Sequence, residues 1–429
     1  MSRNKPVVVL VDAYTSGKYL PPEFIALGAE TVHVQSTPEF MPSMPAPDLG
    51  DYLANIVHED VDTTVELLSK YEPVCVLAGQ EPGVTLADTL SERLGVPTNG
   101  TLLSEARRDK YLMIETLRAA GLRCAEQFKS GEVADLVGWA QRAAAYPVVV
   151  KPLKSAAGDG VFICADADEV RAAAEAVLSS DTIYCETNRE ALVQSYLHGA
   201  EYVVDMVSYG GRRYVCGVWM YHKRLLPNGR NIYDWEHLLG ADEGPAPALI
   251  DYVDRSLTAL GVDYGPTHAE VILTPDGPAL VEVGSRIAGN MHPGFHDACA
   301  GGNQATLTAL AYLDPARFLT EYAGRRYTLR GQGVCSTTST GLSGVVTGAD
   351  QQVVAELTGL ETVFGLNLKI EPGGRIRPTV DLYSSTMRIF LHGSTMDAVR
   401  RDQLRIEELK DRVYLIRPDE SVPTSVSES

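Results

Sequence analysis

The sequence predicts a multidomain protein of mixed α/β and α+β class that opens with a Rossmann-like parallel sheet. Strand and helix signals alternate through the first hundred residues, the pattern of a parallel sheet with helices on its faces. From Tyr146 onward the texture changes to extended segments separated by glycine turns. The length of 429 residues, 45% apolar and 22% charged, suffices for several domains with sizeable cores.

In chain order, the run VVVLV at 7–11 is a strand ending at Asp12. A helix is expected at 22–27, a strand at 31–34, a helix at 61–70 and a strand at 73–77. The loop after the first strand lacks GxGxxG, so no dinucleotide site is expected there, although the carboxyl ends of such strands remain the place for a small ligand. Ser104 and Glu105 open a helix ended by Gly121, which puts Lys110 in its second turn. Residues 148–152 form a strand, the loop 154–160 carries Gly158 and Gly160, 161–164 is a second strand and 168–178 a helix. Strands follow at 191–196, 201–209 and 213–221, the last two joined as a hairpin across Gly210 and Gly211. Residues 245–261 place Leu249, Ile250, Val253, Leu257 and Leu260 on one helical stripe. The last hundred residues read as α+β, and the tail after Arg417, rich in Ser, Glu and Pro, as disordered.

Acidic residues exceed basic ones by 56 to 37, for a net charge of -19, which argues against nucleic acid or an anionic membrane as the main partner. An anionic ligand must then be held by a local cluster of Lys, Arg or backbone N–H groups. No targeting signal is read near the start, and no stretch approaches the roughly 20 apolar residues of a membrane span. The seven cysteines are odd in number, scattered and never arranged as CxxC, so they read as small buried residues of a reducing cytoplasm. His292 and His296 have helical metal spacing but lack HExxH, which disfavours zinc.

The most informative segment is THAEVILTPDGPALVEVGSR, where two alternating runs flank a Pro-Asp-Gly turn. A hairpin symmetric about Asp276 sets Glu270 opposite Glu282. It places His268, Glu270, Ile272, Leu280, Glu282 and Arg286 on one face, with Ala269, Val271, Leu273, Val281 and Val283 on a core face. Like charges opposed on a sheet are destabilising unless compensated. A Mg²⁺ ion held by two carboxylates and substrate phosphates would compensate them; a solvated face partnered by Arg286 is the alternative.

A second segment, YPVVVKPLKSAAGDG, has Lys151 at the end of an apolar strand and a small-residue loop directly after it. That combination of point charge and approachable backbone N–H groups suits a phosphate chain, though a glycine hairpin with a snorkelling Lys explains it as well. In a third, ALVQSYLHGAEYVVD, two strands and a turn at His198 and Gly199 could set backbone groups beside an adenine and Glu201 beside a ribose.

Taken in order, these segments resemble the ATP-grasp superfamily, specifically its carboxylate–amine ligases and among them the L-amino-acid ligases. The likeness covers 103–286 closely, through RRDKYLM, VVVKP, ALVQSYLHGAEY, HAEV and LVEVGSR. The opening VDAYTSGKYL and the GQEPGV stretch at Glu81 look like the N-terminal domain of such ligases. The resemblance implies an ATP-grasp architecture: a Rossmann-like domain at 1–102, a small lid subdomain at 103–190, a large subdomain at 191–330 and a C-terminal α+β extension at 331–417, before a disordered tail at 418–429. By motif, Lys110 and Lys151 contact phosphates, and Ser155, Ala156, Ala157, Gly158 and Gly160 belong to a mobile phosphate lid. Gln194, Ser195, Tyr196 and Leu197 form the adenine hinge, Glu201 holds ribose, Glu270 and Glu282 bind Mg²⁺ or Mn²⁺, and Arg286 sits at an acyl phosphate, with Lys151 and Arg286 catalytic. The implied activity is ATP-dependent joining of a small carboxylate to an amine, both amino-acid-like, with release of ADP and phosphate. The implied setting is a cytoplasmic protein without nucleic-acid or membrane partners, for which a homodimer is a compatible assembly.

Two positions depart from the family pattern. Gly284 stands where many members have Asn, so a third metal ligand is missing or comes from elsewhere, and Gln194 stands where Glu is common. Glu81, Lys223, Arg224, His268, Asn290 and His292 are further candidates for substrate contact, against readings as connector or turn residues. The alternatives are a carboxylase or purine-pathway ligase of the same fold, weakened by the lack of an AMKM biotinyl segment, and a non-catalytic nucleotide-binding regulator, which would not require paired metal carboxylates.

Overall fold

The structure, a computed structural model, describes residues 5–143, 146–156, 158–225, 231–380, 382 and 384–417. Ala157 and the tail 418–429 lie outside the described residues. The chain divides into two compact units, Met1–Met220 with Leu239–Leu329, and Tyr221–Leu238 with Arg330–Ser429.

The first unit opens with β1 (Val7–Val11), α1 (Leu20–Ala26), β2 (Glu30–Gln35), β3 (Asn55–Val57), α2 (Val61–Ser69), β4 (Pro73–Ala78) and α3 (Val84–Leu94). The strands pair in parallel in the order β3-β2-β1-β4. All five residues of β1 are buried because both faces are covered: Val8 and Leu10 pack with Leu20 and Phe24, whereas Val7, Val9 and Val11 pack with Leu68 and Leu90. A continuous apolar run is what such a strand requires.

Next comes α4 (Lys110–Ala119), capped by Asp109, whose carboxylate accepts from Leu112 N–H at 3.0 Å. The expected helix from Ser104 is therefore broken, and Lys110 is its first residue rather than part of a second turn. Ser104 does not cap because its hydroxyl donates to Asp88 (2.7 Å), which also receives the fully buried Arg107 at 2.9 Å.

A four-stranded antiparallel sheet follows, built from β5 (Gln127–Ser130), β6 (Val148–Pro152), β7 (Phe162–Cys164) and β8 (Ala191–Ser195) in the order β5-β8-β6-β7. Helices α5 (Val133–Ala143) and α6 (Ala167–Leu178) cover it. The boundary expected at 190/191 cuts this sheet, because β8 lies between β5 and β6 and belongs with them.

The chain continues through β9 (Ala200–Tyr209), β10 (Arg212–Leu225), β11 (Asn231–Leu238), α7 (Ala246–Ala259), β12 (Gly265–Thr274), β13 (Gly277–Gly284), α8 (Pro293–Ala300), α9 (Gln304–Leu313) and α10 (Pro315–Glu321). Gly210 and Gly211, with φ of 56° and 72°, supply the tight turn between β9 and β10. In the first unit the strands run β13-β12-β9-β10, all antiparallel, and the expected stripe of α7 is buried.

The second unit takes in Tyr221–Leu238, which the sequence reading assigned to the large subdomain, as well as the C-terminal α+β segment. Its strands are β11, β14 (Gln332–Thr337), β15 (Gly344–Ala349), β16 (Val363–Leu368), β17 (Arg375–Ile376), β18 (Met387–Gly393) and β19 (Tyr414–Arg417). They form β11-β14-β18-β16 and β17-β15-β19, with α11 (Gln351–Thr358) and α12 (Met396–Leu409) completing a core around Val334, Leu357, Ile389 and Ile406. No helix among the described residues is long and apolar enough to cross a membrane. Five cysteines are buried as expected, but Cys124 is half-buried and Cys185 is exposed.

Candidate active site

The site is built on the β12–β13 hairpin. Thr274 pairs with Gly277, so the turn has two residues and its centre falls half a residue before Asp276. Such a hairpin would set Glu282 out of step with Glu270, but a bulge after Glu270 inserts one extra residue in β13 and restores the opposition. Glu270 and Glu282 are therefore opposed as the sequence suggested. Leu280 is not on their face: it pairs with Val271, is 1% exposed, and its N–H donates to the Tyr252 hydroxyl at 2.9 Å.

Pairing with β9 brings further polar groups to the acidic face. Glu201 is opposite Ile272, and Asp205 is opposite His268. His268 Nδ1 is 2.8 Å from Asp205 Oδ1 and its Nε2 is 3.7 Å from Glu270 Oε1. Burial works against the imidazolium, but the Asp205 and Glu270 carboxylates together raise the His268 pKa to about 9. Asp205 was not singled out from sequence, although it lies four residues after Glu201 on one strand and so shares its face.

The lysines approach from the other elements. Lys110 Nζ lies 2.7 Å from Glu282 Oε2 and donates to the Ser155 carbonyl at 2.5 Å, while its backbone N–H donates to Leu153 O at 3.0 Å. Lys151, on β6, is buried, and burial and the neighbouring Lys110 lower its pKa to about 8 against the pull of Glu282, Glu270 and Glu201. Two lysines and three carboxylates thus share one electrostatic neighbourhood.

The loop after β6 is tied to itself. Ser155 Oγ donates to Asp159 Oδ2 at 2.7 Å, and Ile183 N–H donates to the same oxygen at 3.2 Å. Ala156 packs against the Tyr14, Met41 and Tyr184 cluster. Gly158 and Gly160 have φ of +77° and +65°, and a Cβ at Gly160 would lie 2.8 Å from Pro152 Cγ.

At the end of β8, Gln194 Nε2 donates to Gln127 Oε1 (2.8 Å), and Gln127 donates in turn to Glu115 (2.8 Å), so the amide spans sideways to α4. Ser195 N–H donates to Glu126 O at 2.8 Å, which commits that donor; Tyr196 and Leu197 follow, half-buried.

Arg286 is buried, with Nε 3.3 Å from Glu81 Oε2 and Nη1 donating to Ile287 O at 3.1 Å. Burial raises the Glu81 pKa, opposed by Arg286 and Arg108. A Cβ at Gly284 would lie 2.9 Å from Arg286 Cζ and 3.0 Å from Glu81 Oε2, so a larger residue there would have to displace the ends of these paired side chains.

The remaining candidates have structural partners. His292 caps α8, accepting from Phe295 N–H at 3.3 Å, and His296 Nδ1 bonds to His292 O at 2.9 Å. Asn290 is half-buried just before them. Lys223 and Arg224 belong to the second unit, where Lys223 lies 4.7 Å from the Tyr233 ring centre and Arg224 is 2.9 Å from Asp234. Among the described residues no group of three or more His, Cys, Asp or Glu is poised for a metal. Two opposed carboxylates with two lysines beside them nevertheless fit Mg²⁺, which commonly takes one or two carboxylates and completes its shell with phosphate and water.

A split α+β scaffold with opposed carboxylates and converging lysines defines a nucleotide-dependent phosphoryl-transfer class. Residues 144–293 match the family model described as ATP-grasp domain. The chain is 38% identical over 324 residues to dapdiamide A synthase of Enterobacter agglomerans, covering 74% of this chain and 76% of that one. It is 27% identical over 275 residues to the carbamoyl phosphate synthase large chain of Agathobacter rectalis, covering 61% and 24%. The L-amino acid ligase from Bacillus licheniformis shares the fold at TM-score 0.75 and 19% identity over 97% of this chain and 100% of that one. An ADP complex of N5-carboxyaminoimidazole synthetase from Staphylococcus aureus superposes at TM-score 0.68 and 13% identity, over 94% and 98%. The chain belongs to the ATP-grasp superfamily and, within it, to the carboxylate–amine ligases. It is an ADP-forming enzyme that makes amide or peptide bonds between small molecules, in a family that works with ATP and Mg²⁺.

Proposed function

We propose that the protein joins an amino-acid-like carboxylate to an amine, itself an amino acid, through an acyl phosphate formed on the β12–β13 face. The observation that carries this reading is the opposition of Glu270 and Glu282 within reach of Lys110 and Lys151. Glu270 and Glu282 hold Mg²⁺, or Mn²⁺ in its place, and the bound cation supplies charge neutralisation to the phosphates. Lys151 holds the phosphate chain from β6. Lys110 exchanges its bond to Glu282 for a phosphate oxygen when ATP enters. Tyr196 and Leu197 present backbone groups to adenine, with Gln194 and Ser195 fixing the strand end, and Glu201 takes ribose.

The acid's carboxylate oxygen attacks the γ-phosphate, giving an acyl phosphate and ADP. The amine attacks the acyl carbon, Arg286 steadies the tetrahedral oxyanion, and phosphate leaves. Ser155, Ala156, Gly158 and Gly160 close over the phosphates and keep water from hydrolysing the intermediate, with Ala157, outside the described residues, completing the same loop. Glu81 receives an ammonium group of the acid substrate beside Arg286. Asn290 and His292 flank the acceptor. A cytoplasmic location and a homodimer are part of this reading.

The test is a matrix of amino-acid pairs with ATP and Mg²⁺, reading ADP, phosphate and product mass. With hydroxylamine in place of the amine, the productive carboxylate should yield a hydroxamate. AMP and pyrophosphate would refute the acyl phosphate, and nucleotide binding without ADP formation across the matrix would favour a regulator.

A further inference from the structure

Three buried polar atoms at the amino-terminal sheet have no hydrogen-bond partner among the described residues: Asp12 Oδ2, Ser16 Oγ and Arg108 Nε. Asp12, fully buried at the end of β1, uses its other oxygen to accept from Ser36 N–H at 3.0 Å. Arg108, 8% exposed, spends Nη2 on Glu186 at 2.6 Å and lies 5.6 Å from the Tyr184 ring centre. An orphaned buried group is destabilising, so a ligand that satisfies it recovers that loss.

Their position favours a ligand. In the order β3-β2-β1-β4 the chain reverses direction at β1, and the crevice beyond the carboxyl ends of β1 and β4 is where such sheets bind small molecules. The loops after these strands are clasped together: a Cβ at Gly79 would lie 2.4 Å from Ala13 Cα, and Gln80 Nε2 donates to Thr15 Oγ1 at 2.5 Å. The same pair of loops therefore carries Asp12 and Glu81. Arg108 lies over the Tyr184 ring, which clusters with Tyr14 two residues after Asp12, and it acts electrostatically on both the Asp12 and the Glu81 carboxylates, while Glu81 pairs with Arg286.

Resting on the ligase reading, the acid's reacting carboxylate lies at Arg286 and its ammonium at Glu81, so the rest of that substrate extends toward Arg108 and Asp12. We infer that Asp12 and Arg108 form a specificity subsite for the far end of the acid substrate, and that this end is a neutral polar group carrying both an acceptor and a donor, a carboxamide being the simplest. Its acceptor takes the Arg108 Nε–H and its donor gives to Asp12 Oδ2, with Ser16 Oγ as a third contact. A carboxylate end meets repulsion from Asp12, an ammonium end meets repulsion from Arg108, and an apolar end leaves both unpaired.

The test uses the full chain with saturating ATP, Mg²⁺ and hydroxylamine, and compares 2-amino acids whose side chains end in carboxamide, carboxylate, ammonium or methyl. The carboxamide series should lead in kcat/KM by at least about tenfold, the value of one satisfied buried group. Asp12→Asn should narrow or invert the preference of carboxamide over carboxylate, and Arg108→Gln should relax discrimination against the ammonium series, both with an unchanged KM for ATP. Equal use of methyl-ended and carboxamide-ended acids by the unmodified protein would overturn the subsite, whether or not the variants fold. An equal loss on every acid in both variants would also overturn it, leaving the orphaned atoms to a bridging water. Absence of ADP formation with every acid and amine would instead remove the ligase reading on which it rests.

Discussion

Lys151 carries its charge in an environment that opposes it, and this makes the phosphate site sensitive to pH. Burial, then the adjacent Lys110, lower its pKa from 10.5 to about 8, while Glu282, Glu270 and Glu201 limit the fall. The protonated form holds phosphate, so its loss as pH rises through the pKa weakens capture of ATP. In the free enzyme, kcat/KM for ATP should fall about tenfold for each pH unit above roughly 8. Bound ATP brings negative charge to the lysine and raises its pKa, so kcat at saturation should hold to higher pH than kcat/KM. Lys151→Arg keeps its charge throughout and should remove the falling limb from a lowered plateau. Glu282→Gln deletes a supporting carboxylate and should move the limb of any residual activity to lower pH. The assay is initial ADP release from about pH 6.5 to about 9.5, with hydroxylamine as nucleophile because it is mostly uncharged in this window and does not titrate around pH 8. A level kcat/KM for ATP from pH 7 to about 9.5, in protein shown to remain folded, would refute the assignment.

Glu270→Gln and Glu282→Gln should each remove most turnover, about a hundredfold or more, and the double variant should cost little beyond either, since residues acting as a unit are non-additive; steady-state rates at several Mg²⁺ concentrations check this. Lys151→Met should abolish turnover yet stabilise the nucleotide-free protein at neutral pH by on the order of 3 kcal/mol, because the fall from 10.5 to about 8 measures the cost of charging the buried amine. The sign follows from linkage: the unfolded chain binds the proton more tightly, so the cost is fully present below about pH 8 and is relieved toward 10.5. A lower denaturant midpoint for Lys151→Met would contradict it. Gly158→Ala and Gly160→Ala separate strain from crowding: both have positive φ and should cost about 1 kcal/mol, but only Gly160→Ala also drives a Cβ against Pro152 and should additionally raise the KM for ATP.

The parts of the fold legible in the sequence are those that local chemistry determines. The run at 7–11 reads as a strand covered on both sides because no residue in it is polar, and the Pro-Asp-Gly turn marks the hairpin that carries Glu270 and Glu282, although their opposition also needs the bulge after Glu270. Tertiary partners decide the rest. Ser104 is an acceptable helix cap, but Asp88, sixteen residues earlier, takes its hydroxyl, and Asp109 caps α4 instead. The strand at 191–195 could be recognised, yet its insertion between β5 and β6 could not, because strand pairing is non-local. The bulge that turns Leu280 toward the core is accompanied by a bond from Leu280 N–H to the Tyr252 hydroxyl of α7, a partner no local pattern announces. Arg108 and Asp12 carried no local signal, since what distinguishes them is one buried atom each, Arg108 Nε and Asp12 Oδ2, without a partner among the described residues.

In the proposed reading, Gly284 joins the metal site to substrate recognition. A side chain there would collide with Arg286 Cζ and Glu81 Oε2, so an Asn supplying a third oxygen and the Arg286–Glu81 pair compete for the same space. The chain keeps the pair. A metal on Glu270 and Glu282 then completes its shell from phosphate and water, which Mg²⁺ accepts readily. Arg286, freed of a neighbouring ligand, is held instead by a carboxylate from the loop after β4 of the amino-terminal sheet. In the proposed mechanism, the group that steadies the developing oxyanion is thereby oriented by the same loop that would meet the acid substrate. Loss of Glu81 would leave Arg286 buried without its counter-ion, so specificity for the acid and stabilisation of the transition state depend on one contact.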